Sequence, residues 1–129
     1  MRRVLVDTNV LLAALVFPSG VAASAFSHVI DEERLVLTQQ ILDEVREVVG
    51  RKWPDRISSA DRFLAALEYE LLPASPSNVK IRDPHDQPIL DAALTGNVDI
   101  ILTGDKDFLT LDIEKPAIFD PRAYLGADT

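Results

Sequence analysis

Val4-Leu5-Val6-Asp7-Thr8-Asn9-Val10-Leu11 decides the fold class. The apolar run does not alternate, so residues 2–6 read as a short strand buried on both faces, the environment of a parallel sheet. Asp7 interrupts it with a residue that strands disfavour. Thr8 or Asn9 can cap a helix running to about Val16, before Phe17-Pro18-Ser19-Gly20 breaks it. A strand that passes directly into a helix is the start of a β/α unit.

The pattern recurs along the chain. A helix over about 21–30 precedes a strand at 34–38, and Thr38 can cap a helix over about 39–51 that Trp53-Pro54 ends. Ser58-Ser59-Ala60-Asp61 starts a helix to about Tyr69, and Leu71-Leu72 begins a short strand. Residues 73–78 hold two prolines and two serines and read as loop. Asp83-Pro84 leads into a helix from Asp86 to about Thr95, with Pro88 in its first turn. Strands at 100–103 and 117–119 complete the series. Strands alternating with helices predict an α/β protein, a three-layer α/β/α sandwich with a mainly parallel central sheet and right-handed crossovers. With no repeat, low-complexity tract or linker, residues 1–129 are expected to form a single domain.

Hydrophobic residues make up 47% of the chain, enough for a buried core, and the lack of cysteine excludes disulfides and zinc-thiolate sites. No run approaches membrane-spanning length, and Met1-Arg2-Arg3 leads into a strand rather than a signal-peptide core. The expectation is a soluble cytoplasmic protein. A net charge of −8, from 21 acidic and 13 basic residues, argues against a nucleic-acid binder. Cations held by acids would invert part of that charge. Arg46, Arg51, Lys52 and Arg56 read equally as a local basic patch or as a solvated helix end.

The acids themselves are placed with a pattern. Asp7 follows the first strand, where a turn or cap is the ordinary role. Glu44 lies three residues after Ile41 and four before Val48, so it borders the apolar stripe of Ile41, Val45 and Val48, while Asp43 and Glu47 turn towards water. Asp86 stands where a helix cap belongs, which is compatible with cation binding. Asp105 follows Thr103-Gly104, and of Asp105 and Asp107 the first is the better inward candidate. Asp83 and Asp91 are weaker candidates. Carboxylates gathered without basic partners repel, and a hydrated divalent cation is the usual reason to gather them.

These residues carry a resemblance. The stretches Val4 to Leu11, Glu44, Asp83-Pro84-His85-Asp86-Gln87-Pro88-Ile89-Leu90 and Ile100 to Phe108 make the chain resemble the PIN-domain family of small α/β nucleases. That family includes the VapC-type toxins of bacterial toxin–antitoxin pairs, and the Thr-Gly-Asp and Asp-Pro-x-Asp spacing is most like its toxin components. The resemblance implies hydrolysis of RNA phosphodiester bonds with Mg²⁺ or Mn²⁺. It implies Asp7, Glu44, Asp86 and Asp105 as the acidic quartet, with Asp7, Asp86 and Asp105 on the metal. Thr8, Asn9 and Thr103 would support them, and Asp107 would be an additional acid. It also implies a homodimer and a cognate antitoxin, while His85 is expected to be a solvated loop residue and His28 is not needed.

Four rival readings compete with this one. Aspartyl-phosphate phosphatases also carry an Asp after the first strand, but their second acid two residues on is Asn9 here, which cannot donate a proton in that role. A receiver domain would want an acceptor Asp after a middle strand, and none stands there. A non-catalytic metal- or partner-binding module of the same fold, or a housekeeping RNA-processing nuclease, fits the same acids.

Overall fold

The computed structural model describes residues 1–127, so the last two residues of the 1–129 domain expectation lie outside the described residues. Five strands form one sheet in the order β3-β2-β1-β4-β5, and every pairing is parallel rather than mainly so. They are β1 (Arg3–Val6), β2 (Arg34–Thr38), β3 (Glu70–Leu72), β4 (Ile100–Leu102) and β5 (Ala117–Phe119). Helices α1 (Thr8–Val16) and α2 (Val21–Glu32) join β1 to β2. Helix α3 (Gln39–Lys52), a 3-10 turn (Pro54–Arg56) and α4 (Ile57–Ala66) join β2 to β3. Helices α5 (Gln87–Thr95), α6 (Lys106–Leu109) and α7 (Pro121–Ala127) complete the chain. Crossovers to β2 and β3 run one way from β1 and those to β4 and β5 the other, so the right-handed rule puts α1–α4 on one face and α5 on the opposite one.

The middle strands are apolar because both faces are covered: Val4, Leu5, Val6, Val36, Leu37, Ile101 and Leu102 are wholly buried. Several local expectations shift. Helix α4 stops at Ala66 rather than near Tyr69, because Leu67 turns extended and feeds β3. There Glu70 is clamped by Arg3, whose Nε and Nη2 donate at 2.9 and 2.6 Å while Nη1 reaches the Gly96 carbonyl at 2.7 Å. Strand β4 ends at Leu102, not Thr103. The inward stripe of α3 is Ile41, Leu42, Val45 and Val49, with Val49 in the place expected of Val48. Loop 73–80 is pinned from α5, where Asp91 accepts from Ser77 at 2.6 Å and Gln87 donates to the Val79 carbonyl at 2.7 Å.

Gly96 closes α5 where it meets β3. A Cβ there would lie 2.7 Å from Leu72 Cδ2 and 2.8 Å from the Ala92 carbonyl. Gly96→Ala is expected to destabilise the protein by about 1–3 kcal/mol through overpacking, read as an earlier denaturant midpoint.

Candidate metal centre

The sheet reverses its winding direction between β1 and β4, and in open α/β sheets the crevice outside such strand ends is where ligands bind. Register brings the acids there. Val6 pairs with Leu102, the Asp7 N–H donates to the Leu102 carbonyl at 3.1 Å, and Thr103 therefore lies beside Asp7.

Asp7 is buried, and its two oxygens are divided between helix and strand. Oδ1 accepts from the Val10 N–H at 3.0 Å, and Oδ2 accepts the Thr103 hydroxyl. Asp7 is thus the cap of α1, a role expected of Thr8 or Asn9. Thr103, with no exposed surface, also accepts the Asp105 N–H at 3.0 Å, so one hydroxyl ties both acids together. Burial pushes the Asp7 carboxyl above its ordinary value, the hydrogen bonds from Thr103 and Val10 pull it back, and the charge of Asp105 pushes it up again.

Asp105 caps α6 by accepting the Asp107 N–H at 2.8 Å. Asp86 does not cap α5: its backbone is helical and its side chain makes no capping bond. The turn begins earlier, with the Asp86 N–H on the Asp83 carbonyl at 3.0 Å. Its carboxyl is 7% exposed and turned inward, where Oδ2 is buried without a hydrogen-bond partner. It is pushed up to about 7, first by desolvation, then by its hydrogen bond to Asp105 and the charges of Asp105 and Asp83.

Glu44 joins the group from α3. Its Oε2 accepts the Thr8 hydroxyl at 3.0 Å, and its Oε1 lies 2.7 Å from Gln40 Nε2 and 3.0 Å from His85 Nε2. His85 was expected to be solvated; its ring is 64% exposed, yet the pairing with Glu44 holds it on the site and raises its basicity. Asn9 is exposed in the first turn of α1. Asp107 accepts two bonds from Arg82, at 2.8 and 2.9 Å.

The structure thus joins Asp7 to Asp105 through the Thr103 hydroxyl, sets Asp105 against Asp86, and brings in Glu44 through Thr8 and His85. Among the described residues, Asp83, Asp86 and Asp107 each offer a ligand oxygen within 4.8 Å of the others. Asp83, a weaker candidate in the sequence, joins this group because Asp-Pro-x-Asp places its two acids one helical turn apart. Arg46 and Arg51 are engaged by Asp61 and Glu47, at 3.0 and 3.5 Å, on the exposed far half of α3.

A divalent cation fits this donor set. The donors are hard oxygens, and a buried carboxylate oxygen lacks any partner. A protonated acid pair is what such a site falls back on without a cation. Removing the shared hydroxyl tests the arrangement: Thr103→Val should cost about 1–3 kcal/mol, measured by denaturant unfolding, because it orphans buried Asp7 Oδ2.

A model of the PIN domain matches residues 3–107. No curated protein matches the chain in sequence. The fold is similar to a chain of VapBC2 from Rickettsia felis bound to a promoter DNA fragment, with TM-score 0.66 and 16% identity over 92% of this chain and 98% of that one. It is similar to DNA-bound VapBC from Salmonella typhimurium, with TM-score 0.68 and 17% identity over 94% of this chain and 99% of that one. FitAB bound to a DNA fragment also matches, with TM-score 0.68 and 21% identity over 92% and 94% of the two chains. At these identities the likeness is one of fold.

Proposed function

Because the chain belongs to the PIN-domain family, matched over residues 3–107, we propose that it is a metal-dependent ribonuclease that hydrolyses RNA phosphodiester bonds as the toxin of a toxin–antitoxin pair. The observation that carries this reading is the convergence of Asp7, Asp86 and Asp105 at the sheet's switch point, with a buried carboxylate oxygen on Asp86 left without a donor.

Asp7, Asp86 and Asp105 would hold the cation, Mg²⁺ or Mn²⁺, and Thr103 fixes the spacing between the first and last. When bound, that cation lowers the pKa of water and stabilises negative charge on the phosphoryl oxygens. Glu44, oriented by Thr8, Gln40 and His85, positions the attacking water. Water oxygen bonds to phosphorus and gives up a proton to bulk water, the P–O ester bond to the leaving sugar breaks, and the departing alkoxide takes a proton from bulk water. The cation also answers the charge objection, since it makes the one place where phosphate must enter locally positive.

The solved structures similar in fold are two-component complexes on DNA. By extension, the partner of this chain is an antitoxin whose arginine enters the acidic crevice, and the toxin works as a homodimer in the cytoplasm. Among the described residues no single helix is long and apolar enough to cross a membrane. The domain is taken to span 1–129.

The test is a mixed single-stranded RNA pool incubated with the protein and Mn²⁺, with and without EDTA. Mn²⁺-dependent cleavage is expected; a folded protein that leaves the pool intact contradicts the reading. Adding a purified cognate antitoxin should suppress cleavage, and unchanged cleavage removes the antitoxin part alone. The non-catalytic reading predicts cation binding without cleavage.

A further inference from the structure

Beside the acidic crevice lies a cleft that the metal centre does not use. It encloses about 290 Å³ at the carboxyl ends of β2 and β3, and its lining includes Thr38, Gln40, Leu71, Pro73, Ala74 and Pro88. That volume is near the lower end of small-molecule sites, which start at about 300 Å³. Two of these residues tie the cleft to the acids. Gln40 Nε2 donates to Glu44 Oε1 at 2.7 Å and to the His85 carbonyl at 3.1 Å, and Pro88 follows Asp86 by two residues at the start of α5.

The cleft is an apolar slot with a polar edge. Leu71, Pro73, Ala74 and Pro88 are all exposed, so an apolar wall stands open next to a charged site. The edge is already oriented. Both bonds of the Gln40 amide run from its nitrogen to oxygens, so turning the amide over would set oxygen against oxygen. Its orientation is therefore fixed, and Oε1 is the atom left to accept from a ligand. The Thr38 hydroxyl accepts the Ile41 N–H at 3.2 Å, which leaves its own proton to donate. A donor and an acceptor two residues apart match the alternating groups on the Watson–Crick edge of a nucleobase.

We propose that this cleft is a nucleobase subsite, which takes one unstacked base of single-stranded RNA beside the scissile phosphate while Gln40 and Thr38 read its edge. The charge balance favours it. At a net charge of −8, with Arg46 and Arg51 already paired to acids, phosphate contacts supply little affinity and base contacts must supply more. The apolar wall suits the flat face of a base, whereas a sugar or phosphate there would lose its hydration without replacement. Gln40 also holds Glu44, so a seated base steadies the acid that positions the attacking water. Cleavage then depends on which base is bound. That coupling rests on the ribonuclease reading; recognition of a base does not.

The experiment is NMR titration of the full chain in EDTA with adenosine, cytidine, guanosine and uridine 5′-monophosphates, and with ribose 5-phosphate as the base-free control. At least one nucleotide should move the Gln40 side-chain amide and the Leu71 and Ala74 backbone signals, and ribose 5-phosphate should not. Ala74→Trp, which fills the cleft away from the acids, and Leu71→Asp, which charges its wall, should abolish the response while keeping native circular dichroism. In the RNA pool with Mn²⁺, cuts should fall beside a preferred base. Ala74→Trp should raise KM about tenfold, the scale of one lost base contact, and leave stabilisation by Mn²⁺ unchanged. If no nucleotide moves these signals more than ribose 5-phosphate does, the base site is overturned. Signals that follow protein concentration instead assign the cleft to a second copy of the chain and overturn it equally. Cuts without base preference, unchanged in Ala74→Trp, overturn its part in cleavage. Nucleotide binding in the cleft with RNA left intact under Mn²⁺ keeps the base site and removes the ribonuclease reading.

Discussion

Asp7→Asn is expected to lower RNA cleavage by about a thousand-fold or more while the protein stays folded. Loss of the cation removes several kcal/mol of stabilisation of the transferring phosphoryl group, and each ~1.4 kcal/mol is tenfold in rate. The fold should survive because asparagine keeps the hydrogen bonds. Its carbonyl can accept the Val10 N–H, and its amide can donate to the Thr103 hydroxyl oxygen. The cap of α1 is therefore retained, and the charge that Asp105 opposes is gone. Without cation the variant should melt at or above wild type, and with Mn²⁺ it should gain little. An unfolded Asp7→Asn protein would make Asp7 structural and remove it from the centre.

The second large effect is on stability. Saturating Mn²⁺ binds the native crevice and not the unfolded chain, and at about a hundred times its dissociation constant contributes roughly 2.7 kcal/mol, or on the order of 10 °C in melting temperature. The gain should depend on pH. Asp86 is raised from 3.8 to about 7, so the folded chain holds a proton that the unfolded chain releases. A raised pKa contributes stability that is fully present below about pH 4 and is lost as pH climbs to about 7. His85, raised by Glu44, adds a loss of the same sign above its ordinary 6.5. Glu70, Asp91 and Asp99 are lowered, and their stabilisation is lost only at more acidic pH. Cation-free protein should therefore melt lower at pH 8 than at pH 5.5, and Mn²⁺ should reverse that order by taking the place of the proton. A cation-free melting temperature that rises between those pH values would contradict the buried-acid account.

The strand cores, and with them Asp7 and Asp105, were legible because parallel strands are continuous apolar runs, so an Asp closing the run stands out. Both do so, at the ends of neighbouring strands. Glu44 was legible from its phase beside the apolar stripe of α3. Helices α6 and α7 were not legible: four and seven residues carry too little periodicity, and α6 exists because Asp105 caps it. The overrun of α4 has a similar origin, since the Arg3–Glu70 pair that marks β3 joins opposite ends of the fold. Asp86 was legible as the residue that opens α5, but that its side chain makes no capping bond and turns inward appears only in three dimensions. His85 looked solvated because a lone histidine gives no sign that Glu44, on another element, reaches it.

The central claim is cleavage by a cation held on these acids, and the chemistry of the product ends tests it most directly. Attack by water leaves linear phosphate monoester ends, whereas attack by the RNA's own 2′-hydroxyl leaves a 2′,3′-cyclic phosphate. RNA treated with wild-type protein and Mn²⁺ should give linear ends only, and none in EDTA or with Asp7→Asn. Cyclic phosphate ends, or cleavage that persists in EDTA, would contradict the account.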